Sequence, residues 1–246
     1  LSAYARSRAG GRTRVVAVDW GPWADVGMAA EAVAAREGRM APPEPVALPL
    51  LDAAGFDGDG ARVLSATWRA RDRWALDEHR TAEGVALLPG TGVLELAAEA
   101  MAHQGEAFPW AIRDLAFLRP LRVPDEGAVA VTLTLPRSHA GYDLRLSADG
   151  VATAEARVEL LPLPAPAPLD LPAIRARLDR RPALLTPRAD GSLASPQERH
   201  LRFGRRWHVL REAALGEGEG LARLSVPATE GMALHPGLLD LATGWA

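Results

Sequence analysis

The chain has 246 residues, of which 48% are hydrophobic, and its formal net charge is −3. This balance excludes the strong basic field of nucleic-acid and anionic-membrane binding proteins. The lack of cysteine excludes disulfides, thiolate nucleophiles and cysteine-ligated metals. No apolar run has membrane length and no signal peptide opens the chain, so we expect a cytoplasmic protein. The lack of lysine and asparagine is typical of GC-rich bacterial genomes.

The first forty residues predict a strand and a helix. Residues 14–20, RVVAVDW, form a short apolar run that ends at Gly21 and Pro22, which predicts a buried strand. A helical pattern follows at residues 29–36, and the Pro-rich residues 40–49 predict a linker. The chain begins and stops inside helical patterns, so we expect a fragment of a longer protein.

The remaining residues predict an α+β protein with two similar halves. A helix is predicted at residues 93–103, and alternating patterns predict antiparallel strands at residues 61–68, 115–118, 128–135, 142–147 and 151–161. A stiff Pro-rich connector follows at residues 161–168. Beyond it we expect a helix at 171–180, strands at 199–210 and 220–226, and a helix from 238. This order predicts two curled sheets, each packed against one helix.

The first candidate catalytic residue is His79, which precedes the Pro-Gly-Thr-Gly turn at residues 89–92. A helix that begins at such a turn leaves backbone N–H groups free to hold a carbonyl oxygen as it gains negative charge. A histidine beside it, with a pKa near 6.5, could act as a general base. Together they suit proton removal α to a thioester, although a single histidine before a turn is more often a surface or structural residue.

The second candidate is Asp240, near the start of the last predicted helix. An acid there commonly complements the helix dipole, so its interest depends on pairing with His79. Residues 203–207 place aromatic side chains around Gly204, which predicts a close backbone approach or a bulge, with core packing as the alternative. The other histidines lack metal-ligand spacing, so no metal site is expected.

These residues as a set resemble the dehydratase domains of modular polyketide synthases. The resemblance extends over residues 46–246 and rests on three motifs: a histidine, glycine and proline series, an aromatic-glycine strand, and His-Pro with an aspartate at a helix start. They are His79, Gly84, Pro89; Phe203, Gly204, Trp207; and His235, Pro236, Asp240. Leu118–Leu121 and Pro49–Leu51 resemble two further family motifs.

The resemblance implies a double hot-dog fold and the elimination of water from a 3-hydroxyacyl thioester. It implies His79 as base, Asp240 as acid and a thioester oxygen held near Gly90–Gly92. Residues implied to bind substrate are Gly84, Leu88, Pro89, Gly90, Thr91, Gly92, Phe203, Gly204, Trp207, His235 and Pro236. Val85 and Leu87 are further candidates for lining the cleft.

The resemblance also implies partners and cofactors. The substrate would be carried on the phosphopantetheine of an acyl carrier protein, and dehydration would need no cofactor. Other synthase domains are implied as neighbours and a homodimer as the state of the full synthase, without nucleic acid or membrane.

Residues 15–30, VVAVDWGPWADVGMAA, resemble the C-terminal end of a polyketide synthase ketoreductase, which has a Rossmann-type fold. In that family Gly21, Pro22 and Trp23 would lie near the nicotinamide of NADPH, whereas the catalytic residues would precede Leu1. The domains expected are therefore a ketoreductase remnant at 1–42, a linker at 43–48, a first hot-dog half at 49–161, a connector at 162–196 and an incomplete second half at 197–246. We expect this fragment to be inactive alone.

Three positions differ from the dehydratase pattern. One extra residue separates His79 from Gly84, Arg205 replaces a proline, and Gly244 stands where a glutamine or histidine usually orients the aspartate. The alternatives are double-bond isomerisation or oxa-cyclisation on the same fold, or a non-catalytic structural domain of the synthase.

Overall fold

The computed structural model describes residues 43–161, 166–178, 185–226 and 230–245. They lie in one compact unit, residues 43–246. The strand and helix predicted at residues 14–20 and 29–36, and the positions Gly21, Pro22 and Trp23, lie outside the described residues. No helix in these ranges is long and apolar enough to cross a membrane.

The described residues alternate between many short strands and a few helices. The strands are β1 (Glu44–Pro45), β2 (Ala53–Phe56), β3 (Arg62–Trp68), β4 (His79–Thr81), β5 (Ala86–Leu87), β6 (Ala111–Phe117), β7 (Arg122–Val123), β8 (Val129–Leu135), β9 (Gly141–Ala148), β10 (Val151–Glu159), β11 (Thr186–Pro187), β12 (Leu193–Ala194), β13 (Leu201–Phe203), β14 (Leu210–Leu215) and β15 (Gly220–Leu224). The α-helices are α1 (Trp74–Asp77), α2 (Gly90–His103), α3 (Leu171–Ala176) and α4 (Pro236–Gly244).

A seven-stranded antiparallel sheet forms the framework, in the order β1-β2-β3-β8-β9-β10-β6. Alternate residues of β8, from Val129 to Leu135, are buried, as expected for a sheet with one covered face. The long helix α2 buries Leu96 and Met101 in the same hydrophobic cluster as these strands. Helix α2 is therefore the central element of the core, and the strands predicted at residues 61–68, 128–135, 142–147 and 151–161 are confirmed with small changes of bounds.

A second, four-stranded sheet, in the order β13-β4-β5-β7, carries the candidate base. Strand β13 pairs antiparallel with β4, which sets Phe203 opposite His79. This pairing joins residues that are more than a hundred positions apart in the chain. It brings the aromatic-glycine segment to the candidate histidine.

The strand predicted over residues 199–210 is wrong. Strand β13 ends at Phe203, and a 3₁₀ turn at Arg205–Trp207 separates it from β14. The Gly204 N–H donates to the Glu78 carbonyl at 2.8 Å, and the Arg206 N–H donates to the Glu78 carboxylate at 2.6 Å. These bonds turn the chain away from the sheet.

The predicted helices are present with different bounds. Helix α2 begins at Gly90 rather than at 93, and α4 begins at Pro236 rather than at 238. Helix α3 ends at Ala176, short of the expected residue 180. The residues Pro89–Gly92 are thus the N-cap and first turn of α2 rather than a turn before it.

Candidate active site

His79 is the first residue of β4 and is 3% exposed. Its ring stacks on Phe203, with ring centroids 5.7 Å apart, and contacts Trp207 at 5.3 Å. The Leu87 carbonyl lies 2.7 Å from Nδ1 and can only accept, so Nδ1 carries the proton of the neutral ring. This tautomer leaves the lone pair on Nε2, which is the atom available to act as a base.

Burial lowers the pKa of His79 below its ordinary value of 6.5. The Leu87 carbonyl and the negative charge of Asp240 oppose this shift. The lowered pKa keeps the imidazole neutral at pH 7, which is the state that a general base needs.

Asp240 lies in the second turn of α4, and its charge acts on His79. Burial raises the pKa of the Asp240 carboxyl, while His79 and the Trp207 indole N–H lower it. The indole N–H of Trp207 lies close enough to stabilise the carboxylate, but among the described residues neither Trp207 Nε1 nor the buried Oδ2 of Asp240 makes a hydrogen bond of acceptable geometry. A buried, unpaired carboxyl oxygen beside a neutral histidine is suited to bind a hydroxyl group.

The starts of α2 and α4 lie side by side. The Thr91 hydroxyl donates to the Pro236 carbonyl at 3.2 Å. The N–H groups in the first turn of a helix have no partner within the helix. In α2 the Gly92 N–H donates to the Pro89 carbonyl at 2.9 Å, which leaves the Gly90 and Thr91 N–H groups as candidates to bind a substrate oxygen. The structure therefore brings the predicted oxygen-binding turn and the predicted acid to one place.

An apolar cavity of 390 Å³ adjoins the start of α2. Its walls include Leu87, Leu88, Pro89 and Gly90, with Phe117 beside Gly90. Val85, which the sequence also suggested for a cleft, is instead 39% exposed in the β4–β5 hairpin. The cavity could hold an acyl chain next to the helix start.

Two residues that are predicted to bind substrate stabilise the local backbone: Gly84 in a turn and His235 at a helix start. Gly84 adopts a φ of +92° in the β4–β5 turn, where its N–H donates to the Thr81 carbonyl. His235 is the N-cap of α4, and its Nδ1 accepts from the Leu238 N–H at 3.3 Å.

Four side chains at or near the candidate site were not predicted from the sequence. Trp74 packs against Trp207 and His235, with ring centroids 5.3 and 5.0 Å apart, and Glu78 anchors the turn at Gly204. The Gln197 amide fills the space beside Gly244: a Cβ added there would lie 2.3 Å from Gln197 Nε2. Glu95, the fourth, was detectable as an acid inside the apolar run VLELAAEAM. The other three depend on tertiary contacts that no local pattern shows.

Within the described ranges, no group of three or more His, Asp or Glu side chains could hold a metal ion.

Residues 49–148 match the family model of the polyketide synthase dehydratase domain. Among curated proteins, none matches the sequence. Among solved structures, the dehydratase domain from the CurF module of the curacin polyketide synthase is 21% identical with a TM-score of 0.68, and covers 80% of this chain and 75% of that chain.

Two inactive mutants of related dehydratases are also similar. The CurJ dehydratase with histidine replaced by phenylalanine is 20% identical (TM-score 0.65; 80% of this chain, 70% of that one). The CurK dehydratase with aspartate replaced by asparagine is 19% identical (TM-score 0.65; 80% and 74%). The fold is therefore the hot-dog fold of dehydratase domains.

Proposed function

We propose that the protein is a polyketide synthase dehydratase that removes water from a 3-hydroxyacyl thioester. The observation that carries the proposal is that the charge of half-buried Asp240 in α4 acts on buried His79 in β4, where the start of α4 contacts the start of α2. The family match over residues 49–148 and the dehydratase fold support this function. Loss of activity on changing a histidine or an aspartate in the CurJ and CurK dehydratases agrees with the proposed roles.

In the proposed reaction, the thioester carbonyl accepts hydrogen bonds from the amides of Gly90 and Thr91. Negative charge develops on that oxygen as Nε2 of His79 takes the α-proton. The C–O bond at the β-carbon then breaks, and the protonated carboxyl of Asp240 gives its proton to the departing hydroxyl. The products are water and an α,β-unsaturated thioester, and the reaction uses only acid, base and hydrogen-bonding groups.

The partners and domains follow from the same proposal. An acyl carrier protein would present the substrate on its phosphopantetheine arm, and the full synthase would be a homodimer. We propose residues 1–42 as the end of a ketoreductase, 43–48 as a linker, 49–161 and 197–246 as the two hot-dog halves, and 162–196 as their connector. Strand β13 supports the association of the halves, because it pairs with β4 across that connector.

The test is product analysis with a 3-hydroxyacyl-pantetheine substrate and the dehydratase in the context of its synthase, because the fragment alone is expected to be inactive. The wild-type protein should form the α,β-alkene, and His79→Ala should abolish its formation because the only proposed base is gone. Replacing His103, a partly buried residue at the end of α2, by Ala is the matched control and should leave the rate unchanged. Substantial alkene formation by His79→Ala would contradict the base assignment, whereas a migrated alkene or a cyclic ether as product would contradict dehydration itself.

A further inference from the structure

Helix α2 carries a line of polar side chains, Thr91, Glu95 and Glu99, spaced four residues apart on one face. Each one bonds to the backbone of another segment. The Thr91 hydroxyl donates to Pro236, whereas the carboxylates of Glu95 and Glu99 accept from other amides. Packing of an apolar core helix does not require these polar groups, so what they contribute is the hydrogen bond that each makes to another segment.

The two carboxylates differ in what they hold. Oε1 of Glu95 accepts from the Ala233 N–H at 3.1 Å, and Oε2 accepts from the Leu234 N–H. Both oxygens of Glu99 accept from the Leu50 N–H, at 2.9 and 3.1 Å, and the Leu51 N–H also acts on this carboxyl. Burial raises the pKa of the Glu99 carboxyl to about 8, so it is protonated at neutral pH, and a glutamine side chain resembles that form. A glutamine at position 95 would place its NH₂ group, which can only donate, opposite a backbone N–H that also donates, so one of the two hydrogen bonds would be lost.

The amides that Glu95 holds lie immediately before the helix of the candidate acid. Ala233 and Leu234 precede His235, the N-cap of α4, and Asp240 follows in the second turn. Glu95 is fully buried, so water cannot replace its contribution. The carboxylate thus fixes the entry of α4 onto α2, six residues before Asp240.

We propose that Glu95 is a positioning residue of the dehydratase, whose carboxylate holds the start of α4 so that Asp240 faces His79. This inference rests on the proposed function for its effect on catalysis. Its effect on the position of Asp240 does not depend on turnover, because the unliganded protein already contains these bonds.

The experiment compares Glu95→Gln with Glu99→Gln in the same chain. Glu95→Gln should lower kcat at least about tenfold and change KM less than about threefold, because the acid moves while binding groups stay. Amide hydrogen exchange at Ala233 and Leu234 should accelerate in this variant. Glu99→Gln should leave kcat and that exchange unchanged.

A third variant, Thr91→Val, removes the bond to Pro236 without changing any charge. NMR titration of His79 in the unliganded protein should show a lower pKa in both Glu95→Gln and Thr91→Val, because the negative charge of Asp240 moves away from the ring. A lower His79 pKa in Thr91→Val cannot result from the direct loss of a carboxylate, because this substitution leaves Glu95 in place. If Glu95→Gln does not fold, an unchanged His79 titration in Thr91→Val would contradict the premise that the contact between α2 and the start of α4 positions Asp240.

Wild-type kcat and wild-type His79 titration in Glu95→Gln would overturn the proposal. Equal kcat losses in Glu95→Gln and Glu99→Gln would also overturn it, since general loosening of α2 would then explain both. If the titration and exchange change as expected while the wild-type protein forms no alkene, the positioning role stands and the proposed function fails.

Discussion

At the scale of single residues, the environment shifts the pKa values of His79 and Asp240 in opposite directions. Burial lowers the pKa of the histidine and raises the pKa of the aspartate, because in each case it disfavours the charged form. These shifts favour a neutral histidine, which can take a proton, and a protonated carboxyl, which can give one. Neither group is unusual alone, and the chemistry comes from their being buried together.

Replacing Asp240 by Asn tests the electrostatic effect of Asp240 on His79. The negative charge of Asp240 raises the pKa of His79, so its removal should lower that pKa further, and the neutral ring should persist to lower pH. Alkene formation should fall at least about a hundredfold because the acid is lost. NMR titration of His79 measures the first effect and product analysis the second.

The control for this prediction is Asp143→Asn, which removes an exposed carboxylate from β9. It should leave both the His79 titration and the rate unchanged. An unchanged or raised pKa of His79 in Asp240→Asn would show that the two groups are not coupled.

The sequence proposed His79 and Asp240 as candidates but not the side chains that pack around them. The two candidates fall in short motifs with fixed spacing, so pattern and resemblance are enough to propose them. Trp74, by contrast, gains its role only from rings at positions 207 and 235. Similarly, Gln197 fills the space at Gly244 from a different part of the chain, and nothing in either local sequence indicates the contact.

At the scale of elements, alternation and helical periodicity located the long strands and both main helices. The start of α2 was placed late because Gly90, Thr91 and Gly92 are poor helix formers in isolation. Tertiary contacts outweigh this preference: Leu88 packs against Gly92 and Phe117 against Gly90. The predicted strand at 199–210 failed for the same reason, since Glu78 imposes the turn from outside the segment.

Replacing Gly204 by Ala tests the importance of that turn. A Cβ at this position would lie 2.3 Å from Cγ and 2.5 Å from Cβ of Glu78, which cannot swing away because its carboxylate holds the Arg206 N–H and guanidinium. Forcing this contact should lower the free energy of unfolding by about 1–3 kcal/mol. It should also slow dehydration, because Glu78 adjoins His79.

Urea unfolding measures the stability of this variant against Gly58→Ala. Gly58 is exposed and a Cβ there meets nothing within 4 Å, so this control should unfold at the wild-type midpoint. Equal midpoints for the two variants would contradict the proposed close approach at Gly204.

At the scale of the whole molecule, the fold class was accessible from the order of the elements, but the sheet order was not. Local patterns show that a segment is a strand without showing its partner. The pairing of β13 with β4 joins Leu201–Phe203 to His79–Thr81, and it is this long-range register that assembles the candidate site. The burial of Glu99 is another property of the assembled molecule, because residues of the distant segment around Leu50 cover it.

The buried Glu99 should make global stability depend on pH. Burial raises the pKa of its carboxyl from 4.5 to about 8, so between these values the folded protein holds a proton that the unfolded chain releases. The stability from this group is complete below pH 4.5 and is lost as pH rises through about 8, by up to about 1.4 kcal/mol per pH unit.

Glu99→Gln keeps an oxygen for the Leu50 N–H but cannot ionise, so it should lose this component of the pH dependence. Urea unfolding of both proteins between about pH 5.5 and 8.5 isolates Glu99, because other titrating groups are common to the two proteins. The variant should gain stability over wild type as pH rises. Glu126→Gln, at an exposed position, should follow the wild-type curve. Parallel curves for wild type and Glu99→Gln would mean that Glu99 ionises equally in the folded and unfolded chains, and its burial against Leu50 would then have no electrostatic consequence.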